Sequence, residues 1–283
     1  MTYTGSPGEL TDPRAATIKA ARRLLKRSFR EHDRAFLAEG AQAVREALAE
    51  AAKTDGPRIR QLFLTGEARG KHADLAAQAV ELGIPVQQAS GHVMAQLSDT
   101  VTPQGLVAVC DLLDVSLETV LAQSAPPHLV VVLAAVRDPG NAGTVLRTCD
   151  AAGADAVVFS DTSVDPYNGK CVRASAGSLF HLPVVVGASM PDTIAALRAA
   201  GLQILAADGS ASADLDELER AGTLGRPSAW IFGNEAWGLP TDLLESADVA
   251  VRVPIHGRAE SLNLAAAAAV CLYASARAFR SPR

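Results

Sequence analysis

The sequence predicts an α/β protein that contains a large, mostly parallel sheet. Three observations lead to this fold class. Apolar residues make up 48% of the 283 residues and charged residues 20%, which is typical of a folded globular chain. Short apolar runs alternate with helical segments along the second half of the chain. The apolar runs are continuous rather than alternating, which indicates strands buried on both faces, as in a parallel sheet covered by helices.

The first part of the chain predicts a smaller α/β domain over residues 13–113, after a loose tail at 1–12. A basic helix is expected over 13–28, since Pro13 suits a first helical turn. Strands and helices then alternate, with their apolar residues at the spacing that each element requires. The strands are expected at 35–40, 59–64, 84–88 and 105–111, and the helices at 41–52, 73–82 and 91–97.

A proline pair marks the boundary between the two predicted domains. Pro126 and Pro127 end the stretch 114–127, and prolines of this kind stiffen a connector and interrupt helix and sheet. Residues 128–283 then form the second domain. Its strands are expected at 129–136, 156–159, 182–186, 203–206, 229–232 and 249–253, and its helices at 143–152, 170–180, 192–200, 240–247 and 261–279.

Composition excludes several classes of protein. No apolar run is long enough and free enough of charge to span a membrane, and the first ten residues lack the pattern of a secretory signal. The four cysteines are scattered, with no CxxC pair and no histidine at ligand spacing, which argues against a metal site or a disulfide framework. We therefore expect a cytoplasmic protein without a metal.

The net charge of −5 conceals a strongly basic segment. Residues 14–34 carry eight basic and two acidic side chains, so the remainder of the chain is markedly acidic. Such a block favours contact with a polyanion, and a solvated helix face is the alternative interpretation. The candidate RNA-binding side chains in this segment are Arg22, Arg23, Lys26 and Arg27.

Three loops follow predicted strands, at the edge where open α/β sheets bind ligands. The first, 137–147, opens a helix and matches neither a Walker loop nor a dinucleotide-binding GxGxxG motif. It contains Asn141 and Arg147, which are candidate functional residues. Alternatively, the aliphatic part of the Arg147 side chain packs against the protein while its guanidinium reaches water or Asp150.

The second loop, 231–240, places Glu235 between two glycines, where it could bind a cation, a hydroxyl pair or a partner's arginine. The third, 253–264, suggests Ser261 as a helix N-cap, and Asn263 would then occupy an unfavourable position in the first helical turn.

Together, these loops resemble the three motifs of the SpoU/TrmH family of RNA ribose 2′-O-methyltransferases, within the SPOUT superfamily. The patterns are Asn-x5-Arg, Gly-x-Glu-x-x-Gly and Pro-x-x-Gly-x-x-x-Ser-Leu-Asn. They are formed, in chain order, by Asn141 and Arg147; by Gly233, Glu235 and Gly238; and by Pro254, Gly257, Ser261, Leu262 and Asn263. The resemblance covers roughly residues 129–279 and is weaker over 13–113, which looks like the small RNA-recognition domain of many members.

The resemblance implies S-adenosylmethionine (AdoMet) as methyl donor, a trefoil knot in the second domain, and a homodimer with shared active sites. The residues that it implies for the cofactor site are Phe232, Gly233, Asn234, Gly238, Val253, Ile255, Gly257 and Leu262. It implies that Arg147 activates the ribose 2′-OH or stabilises its alkoxide, and that Asn141, Ser261 and Asn263 position the ribose or Arg147. Glu235 would organise the cofactor loop or the partner's arginine, and Arg173 would be a further RNA contact.

The substrate implied is RNA, and the separate first domain favours 23S ribosomal RNA. Some members of the family methylate one ribosomal nucleotide and thereby confer antibiotic resistance. Transfer RNA is the alternative substrate, and an RNA-binding module without catalysis is the alternative function. A nucleotide-dependent α/β enzyme of another kind is disfavoured, because the sequence lacks the phosphate-binding motifs of such enzymes.

Overall fold

The computed structural model describes residues 8–53, 56, 58–234 and 236–280. The helices are, in chain order, α1 (Ala16–Arg23), α2 (Arg27–Asp33), α3 (Ala41–Ala51), α4 (Gly66–Lys71), α5 (Ala73–Glu81), α6 (Gly91–Met94), α7 (Leu117–Leu121), α8 (Pro139–Ala152), α9 (Gly169–Ala174), α10 (Met190–Ala199), α11 (Leu215–Arg220), α12 (Thr241–Ser246) and α13 (Leu264–Arg280). The strands are β1 (Ala35–Glu39), β2 (Ile59–Leu64), β3 (Val86–Gln88), β4 (Leu106–Asp111), β5 (Leu129–Leu133), β6 (Ala156–Ser160), β7 (Val184–Ala188), β8 (Gln203–Ala207), β9 (Ala213–Asp214), β10 (Ser228–Phe232) and β11 (Val249–Arg252).

The chain divides into two compact units. The first comprises the described residues up to Leu113 together with Tyr167–His181, and the second comprises Asp114–Pro166 and the described residues from Leu182 onwards. None of the helices described is long and apolar enough to cross a lipid bilayer.

The first unit contains a four-stranded sheet in the order β1-β4-β2-β3. Strand β4 runs antiparallel to β1 and β2, whereas β2 and β3 are parallel. One face of this sheet packs against α1 and α6 through buried side chains that include Ile18, Phe63 and Val93. The predicted strand 59–64 is confirmed, whereas α4 was not anticipated from the sequence.

The basic segment forms two short helices rather than the single helix predicted over 13–28. The Arg30 side chain is buried, and its Nη1 donates hydrogen bonds to the carbonyls of Leu24 (2.8 Å) and Leu25 (2.9 Å), just beyond the end of α1. Those carbonyls therefore have a side-chain partner where the helix stops, which the charge pattern did not reveal.

Segment 167–181 was predicted to be part of the second domain, but it packs within the first unit. The Tyr167 ring lies 4.9 Å from the Phe36 ring, and its hydroxyl accepts a hydrogen bond from the Leu113 amide. The helix predicted over 170–180 is also shorter, because Ala176 (φ +51°) and Gly177 (φ +100°) adopt left-handed conformations that end α9.

The second unit contains a seven-stranded sheet in the order β7-β6-β5-β10-β8-β11-β9. Every strand pair described in this sheet is parallel, as the continuous apolar runs predicted. All residues of β5, β6 and β10 are buried, so both faces of the central strands are covered. The strands therefore share one carboxyl edge, and the three loops singled out in the sequence follow β5, β10 and β11 at that edge.

Candidate active site

The first loop leaves β5 and turns sharply into α8. Ala135 has a positive φ of +56°, and its amide donates to the Ser160 hydroxyl (2.9 Å). Asp138 is the N-cap of α8, since its carboxylate accepts a hydrogen bond from the Asn141 amide (2.8 Å). This cap fixes the start of the helix, and with it the position of the Asn141 side chain.

The second loop is closed by hydrogen bonds between its two ends. The Asn234 amide donates to the Gly238 carbonyl and the Gly238 amide donates to the Asn234 carbonyl, both at 2.9 Å. A Cβ atom on Gly233 would lie 2.4 Å from the Gly238 carbonyl oxygen, so this close approach requires glycine. The buried Asn234 side chain also donates from Nδ2 to the Ala135 carbonyl (2.8 Å), which ties the second loop to the first.

The third loop corrects the predicted start of the last helix. Helix α13 begins at Leu264, and Asn263 rather than Ser261 acts as its cap, because Asn263 Oδ1 accepts from the Ala265 amide (2.9 Å). Asparagine is a favoured cap, so its predicted conflict with helix propensity was wrong. The other half of the Asn263 amide has a different partner: Nδ2 donates to Asn141 Oδ1 (3.0 Å) and joins the third loop to the first.

The loops enclose a cavity of about 530 Å³ at the carboxyl edge of the sheet. Most of the predicted cofactor residues line it, as do three of the residues predicted for catalysis. The predicted residues that line the cavity are Phe232, Gly233, Asn234, Gly238, Val253, Ile255 and Leu262, with Asn141, Ser261 and Asn263. Ile255 and Leu262 are 38% and 39% exposed, so the cavity presents open apolar surface beside polar backbone.

Two predicted residues stand apart from the lining, and a third is not among the described residues. Gly257 is in the third loop but outside the cavity wall. Glu235 lies outside the described residues. Arg147 is exposed, and it follows Asn141 by six residues, which in a helix is a rotation of about 240° and a rise of about 9 Å. The Asn-x5-Arg spacing therefore places the two side chains on different faces of α8.

A fourth strand-end turn contributes to the cavity, and sequence reasoning missed it. Ala207, the last residue of β8, and the following Asp208 and Gly209 line the wall. Strand β8 lies between β10 and β11 in the sheet. Glu260 also faces the cavity. The Asp-Gly pair at the end of an apolar run was the available signal, but the position of β8 between the other two strands depends on tertiary structure.

The candidate RNA-binding cations differ in their surroundings. Arg22 and Lys26 are exposed. Arg23 forms a bidentate pair with Asp33 (both contacts 2.7 Å), and Arg27 pairs with Glu31 on the same helix. A hydrogen bond from His32, together with Arg23, holds the pKa of Asp33 below its usual range, so this carboxylate stays ionised beside Arg23 at neutral pH.

Arg173 has a structural partner that the sequence did not predict. Its Nη1 donates to the buried carboxylate of Glu39 (2.8 Å) in the first unit, and the Arg173 side chain is only 25% exposed. A partly buried ion pair of this kind occupies the guanidinium that was expected to contact RNA.

The cysteines near the site are not candidates for nucleophiles. Cys149 on α8 and Cys271 on α13 are buried, and burial raises the pKa of both thiols, that of Cys271 to about 12. Both therefore remain protonated at neutral pH. Among the described residues, no group of histidine, cysteine and acidic side chains could hold a metal ion.

Comparison with known families matches both parts of the chain. Residues 128–273 match the SpoU rRNA Methylase family, and residues 37–115 match the family described as RNA 2′-O ribose methyltransferase substrate binding. The chain belongs to the SpoU rRNA methylase family. The resemblance inferred from the three loops is therefore confirmed.

Relatives of this SpoU-family chain match along most of their length. "23S rRNA (guanosine(2553)-2'-O)-methyltransferase RlmP" of Bacillus subtilis is 35% identical over 90% of this chain and 94% of its own. "23S rRNA (guanosine-2'-O-)-methyltransferase RlmB" of Bordetella pertussis is 30% identical over 77% of this chain and 89% of its own.

Solved structures share the same architecture. An AdoMet-bound rRNA methyltransferase from Sinorhizobium meliloti superposes with a TM-score of 0.79 at 32% identity, covering 95% of this chain and 97% of that one. The SpoU methyltransferase AviRb from Streptomyces viridochromogenes, in complex with AdoMet, superposes with a TM-score of 0.79 at 28% identity, covering 95% of this chain and all of that one.

Proposed function

We propose that this chain is an RNA ribose 2′-O-methyltransferase that transfers a methyl group from AdoMet to 23S rRNA. The observation that carries the proposal is that residues of all three motif loops line one and the same cavity. Relatives named as 23S rRNA guanosine-2′-O-methyltransferases support the substrate, and related structures with AdoMet support the cofactor. The names of these relatives specify a guanosine, and we propose a guanosine as the nucleotide that this chain methylates.

The cavity residues suit an adenosyl sulfonium compound. Ile255 and Leu262 offer apolar surface for a flat aromatic ring, and the neighbouring backbone can bond the polar edge of that ring. Asp208 and Glu260 bring carboxylates to the wall, where they suit a cationic sulfonium or ammonium group. When bound, AdoMet supplies a methyl group that is already activated by positive sulfur.

The protein then has to place the ribose hydroxyl in line with that methyl group. Alignment of this kind can supply about 7–11 kcal/mol of a reaction barrier. We assign the placement to Asn141, Ser261 and Asn263, since all three line the cavity and two of them are hydrogen-bonded to each other. Their amide and hydroxyl groups can donate to, and accept from, ribose oxygens.

We assign activation of the 2′-OH to Arg147, supplied by a second copy of the chain. The exposed Arg147 points away from the face of α8 that carries Asn141, so a site completed in trans accounts for its orientation. Helix α13, which packs on α8, exposes Val270 and Tyr273 one turn apart, and a partner chain would cover such apolar side chains. Because guanidinium remains charged in proteins, Arg147 would stabilise the forming alkoxide rather than remove its proton.

The roles of Glu235 and Gly257, and the trefoil knot, stay predictions from the family resemblance. The RNA contact of α1 and α2 is likewise proposed. The exposed cations Arg22 and Lys26 are its best candidates, and Arg23 and Arg27 contribute charge that is shared with acidic neighbours.

Methyl transfer from radiolabelled AdoMet to unmodified 23S rRNA tests the proposed activity, with transfer RNA as the comparison substrate. We expect one ribose 2′-O-methylated nucleotide in 23S rRNA, mapped by its resistance to alkaline cleavage. Methylation of a base, of transfer RNA alone, or of no RNA would contradict the proposal.

Mixing two impaired variants tests the shared site. An Arg147→Ala chain and an Asn263→Ala chain, co-refolded, would regain up to about a quarter of wild-type activity if each site draws these residues from different chains. Mixtures that stay inactive, while chromatography shows a dimer, would place both residues of each site in one chain.

A further inference from the structure

The second loop carries an exposed tryptophan that the proposed chemistry does not use. The sequence contains two tryptophans, and they have opposite surroundings. Trp230 in β10 is fully buried, with its Nε1 donating to the Ser275 hydroxyl (2.9 Å). Trp237 is 57% exposed. An indole left open to solvent is the kind of surface that binding partners cover.

Hydrogen bonds hold the loop that carries Trp237. The paired backbone bonds between Asn234 and Gly238 close the loop beneath it, and the Ala236 amide donates to Asn234 Oδ1 (2.8 Å). Ala236 and Gly238, its neighbours on either side, both line the cavity. The indole therefore stands at the cavity rim on a braced loop, and little ordering would be needed for it to bind a ligand.

Arg137 of the first loop covers the Trp237 ring. Its guanidinium carbon lies 5.1 Å from the ring centroid, within the range of a cation–π contact. Arg137 is exposed and forms no salt bridge with any residue that the structure describes. One planar group with an open face and one exposed positive charge thus lie together beside the cavity.

We propose that Trp237 and Arg137 form a stacking platform for an unpaired base next to the methylated nucleotide. This inference rests on the proposed function, because it assigns part of the RNA to that same site. A ribose reaches a recessed cavity most easily from a strand whose bases are splayed, and splayed bases are held by stacking on aromatic and guanidinium planes. The exposed charge of Arg137 suits the adjoining phosphate.

A second copy of the chain is the other occupant to consider for this platform. The positive charge of Arg137 favours a polyanion, whereas the exposed apolar side chains of α13 suit a protein partner better. Stacking also tolerates any base, so the platform would contribute affinity and placement rather than sequence choice.

Steady-state kinetics of Trp237→Ala, Trp237→Phe and Arg137→Ala test the platform, with Val80→Ala as a loss of exposed apolar surface elsewhere. We expect Trp237→Ala to raise KM for 23S rRNA roughly 5- to 150-fold, with AdoMet affinity unchanged and most of the loss restored by phenylalanine. Arg137→Ala should raise the same KM and reduce the salt slope of RNA binding by about 0.7. Val80→Ala should match wild type.

The platform would be overturned if Trp237→Ala kept the wild-type KM for RNA, if it weakened AdoMet binding instead, or if it dissociated a dimer. Absence of methyl transfer by the wild-type protein would contradict the proposed function itself. The two failures are therefore distinguishable.

Tryptophan fluorescence provides a readout that does not depend on turnover. Since Trp230 is buried, Trp237 should dominate any change on titration with 23S rRNA in the presence of S-adenosylhomocysteine. We expect quenching in the wild type and its loss in Trp237→Phe. Equal quenching in both proteins would show that RNA does not cover Trp237.

Discussion

The cavity at the strand ends and the basic helices α1 and α2 are built by opposite means. Uncharged groups dominate the cavity wall, and hydrogen bonds such as Asn263–Asn141 and Asn234–Ala135 join its loops. Charged side chains dominate the surface of the helices, and several of them are partly neutralised by acidic neighbours. We therefore expect a single substitution in the cavity to reduce activity or AdoMet affinity strongly, whereas a substitution on the basic helices should change RNA binding only slightly.

The largest effect is expected from Arg147, which the proposed function places at the reacting oxygen. Arg147→Ala should lower kcat by about 10²- to 10³-fold, the usual loss when one stabilising donor is removed from a developing oxyanion. Because Arg147 is exposed, the melting temperature should not change. Arg147→Lys, which keeps the charge but loses the planar fork, should recover only part of the rate. Activity of Arg147→Ala within twofold of wild type would remove Arg147 from the chemistry.

Two substitutions of Asn263 should separate the structural role of its side chain from its role in methyl transfer. Asn263→Ala removes the cap of α13, at about 1 kcal/mol of unfolding free energy, together with the hydrogen bond to Asn141. Asn263→Asp keeps a cap acceptor but lacks the Nδ2 donor. We expect both variants to lose methyl transfer roughly 10-fold or more, and only the alanine variant to unfold at lower temperature. An aspartate variant with full activity would show that the Asn141 contact is dispensable.

Gly233 tests whether the close approach of the two ends of the second loop matters for the cofactor. A Cβ atom there would meet the Gly238 carbonyl at 2.4 Å, so Gly233→Ala must displace the loop. We expect AdoMet affinity, measured by calorimetry, to fall by roughly 10-fold or more. Gly70→Ala is the control, since nothing lies within 4 Å of a Cβ at that exposed position. Equal AdoMet affinity in both variants would mean that the loop tolerates displacement.

The smallest effects are expected on the basic helices. Replacing Arg22 and Lys26 together by alanine should reduce the slope of log K against log salt by about 1.4, since each neutralised phosphate on single-stranded RNA contributes about 0.7. The value of kcat should stay unchanged. Arg198→Ala, which removes a cation paired with Asp248 in the second unit, is the control and should leave the slope unaltered. An unchanged slope in the double variant would indicate a solvated face rather than an RNA contact.

The parallel sheet was predictable because its signal is local. Buried strands such as β5 and β10 are continuous apolar runs, so consecutive residues in the sequence are enough to predict that these strands are buried. The loops that follow them were predictable for the same reason, and the family motifs indicated several of the residues that meet in the cavity, among them Asn141, Ser261 and Asn263.

Other features depend on partners distant in the sequence, and local patterns did not reveal them. Arg173 is paired with Glu39, 134 residues away, and no local pattern around Arg173 indicates this partner. Arg30 donates hydrogen bonds to the carbonyls of Leu24 and Leu25, just beyond the first basic helix, which a count of charges cannot show. Asp208 reaches the cavity because β8 lies between β10 and β11, an order set by the fold of the whole sheet.

Calorimetric titration with AdoMet tests most directly whether the cavity formed by the motif loops is the cofactor site. Ile255 lies on the wall with its side chain 38% exposed, so Ile255→Trp should fill the slot. Val80→Trp, at an exposed position in the first unit, adds the same ring far along the chain from the motif loops. We expect one AdoMet per chain for the wild type and Val80→Trp, and at least 10-fold weaker binding for Ile255→Trp. Equal affinity in all three proteins would place the cofactor elsewhere and contradict the assignment of this cavity as the AdoMet site.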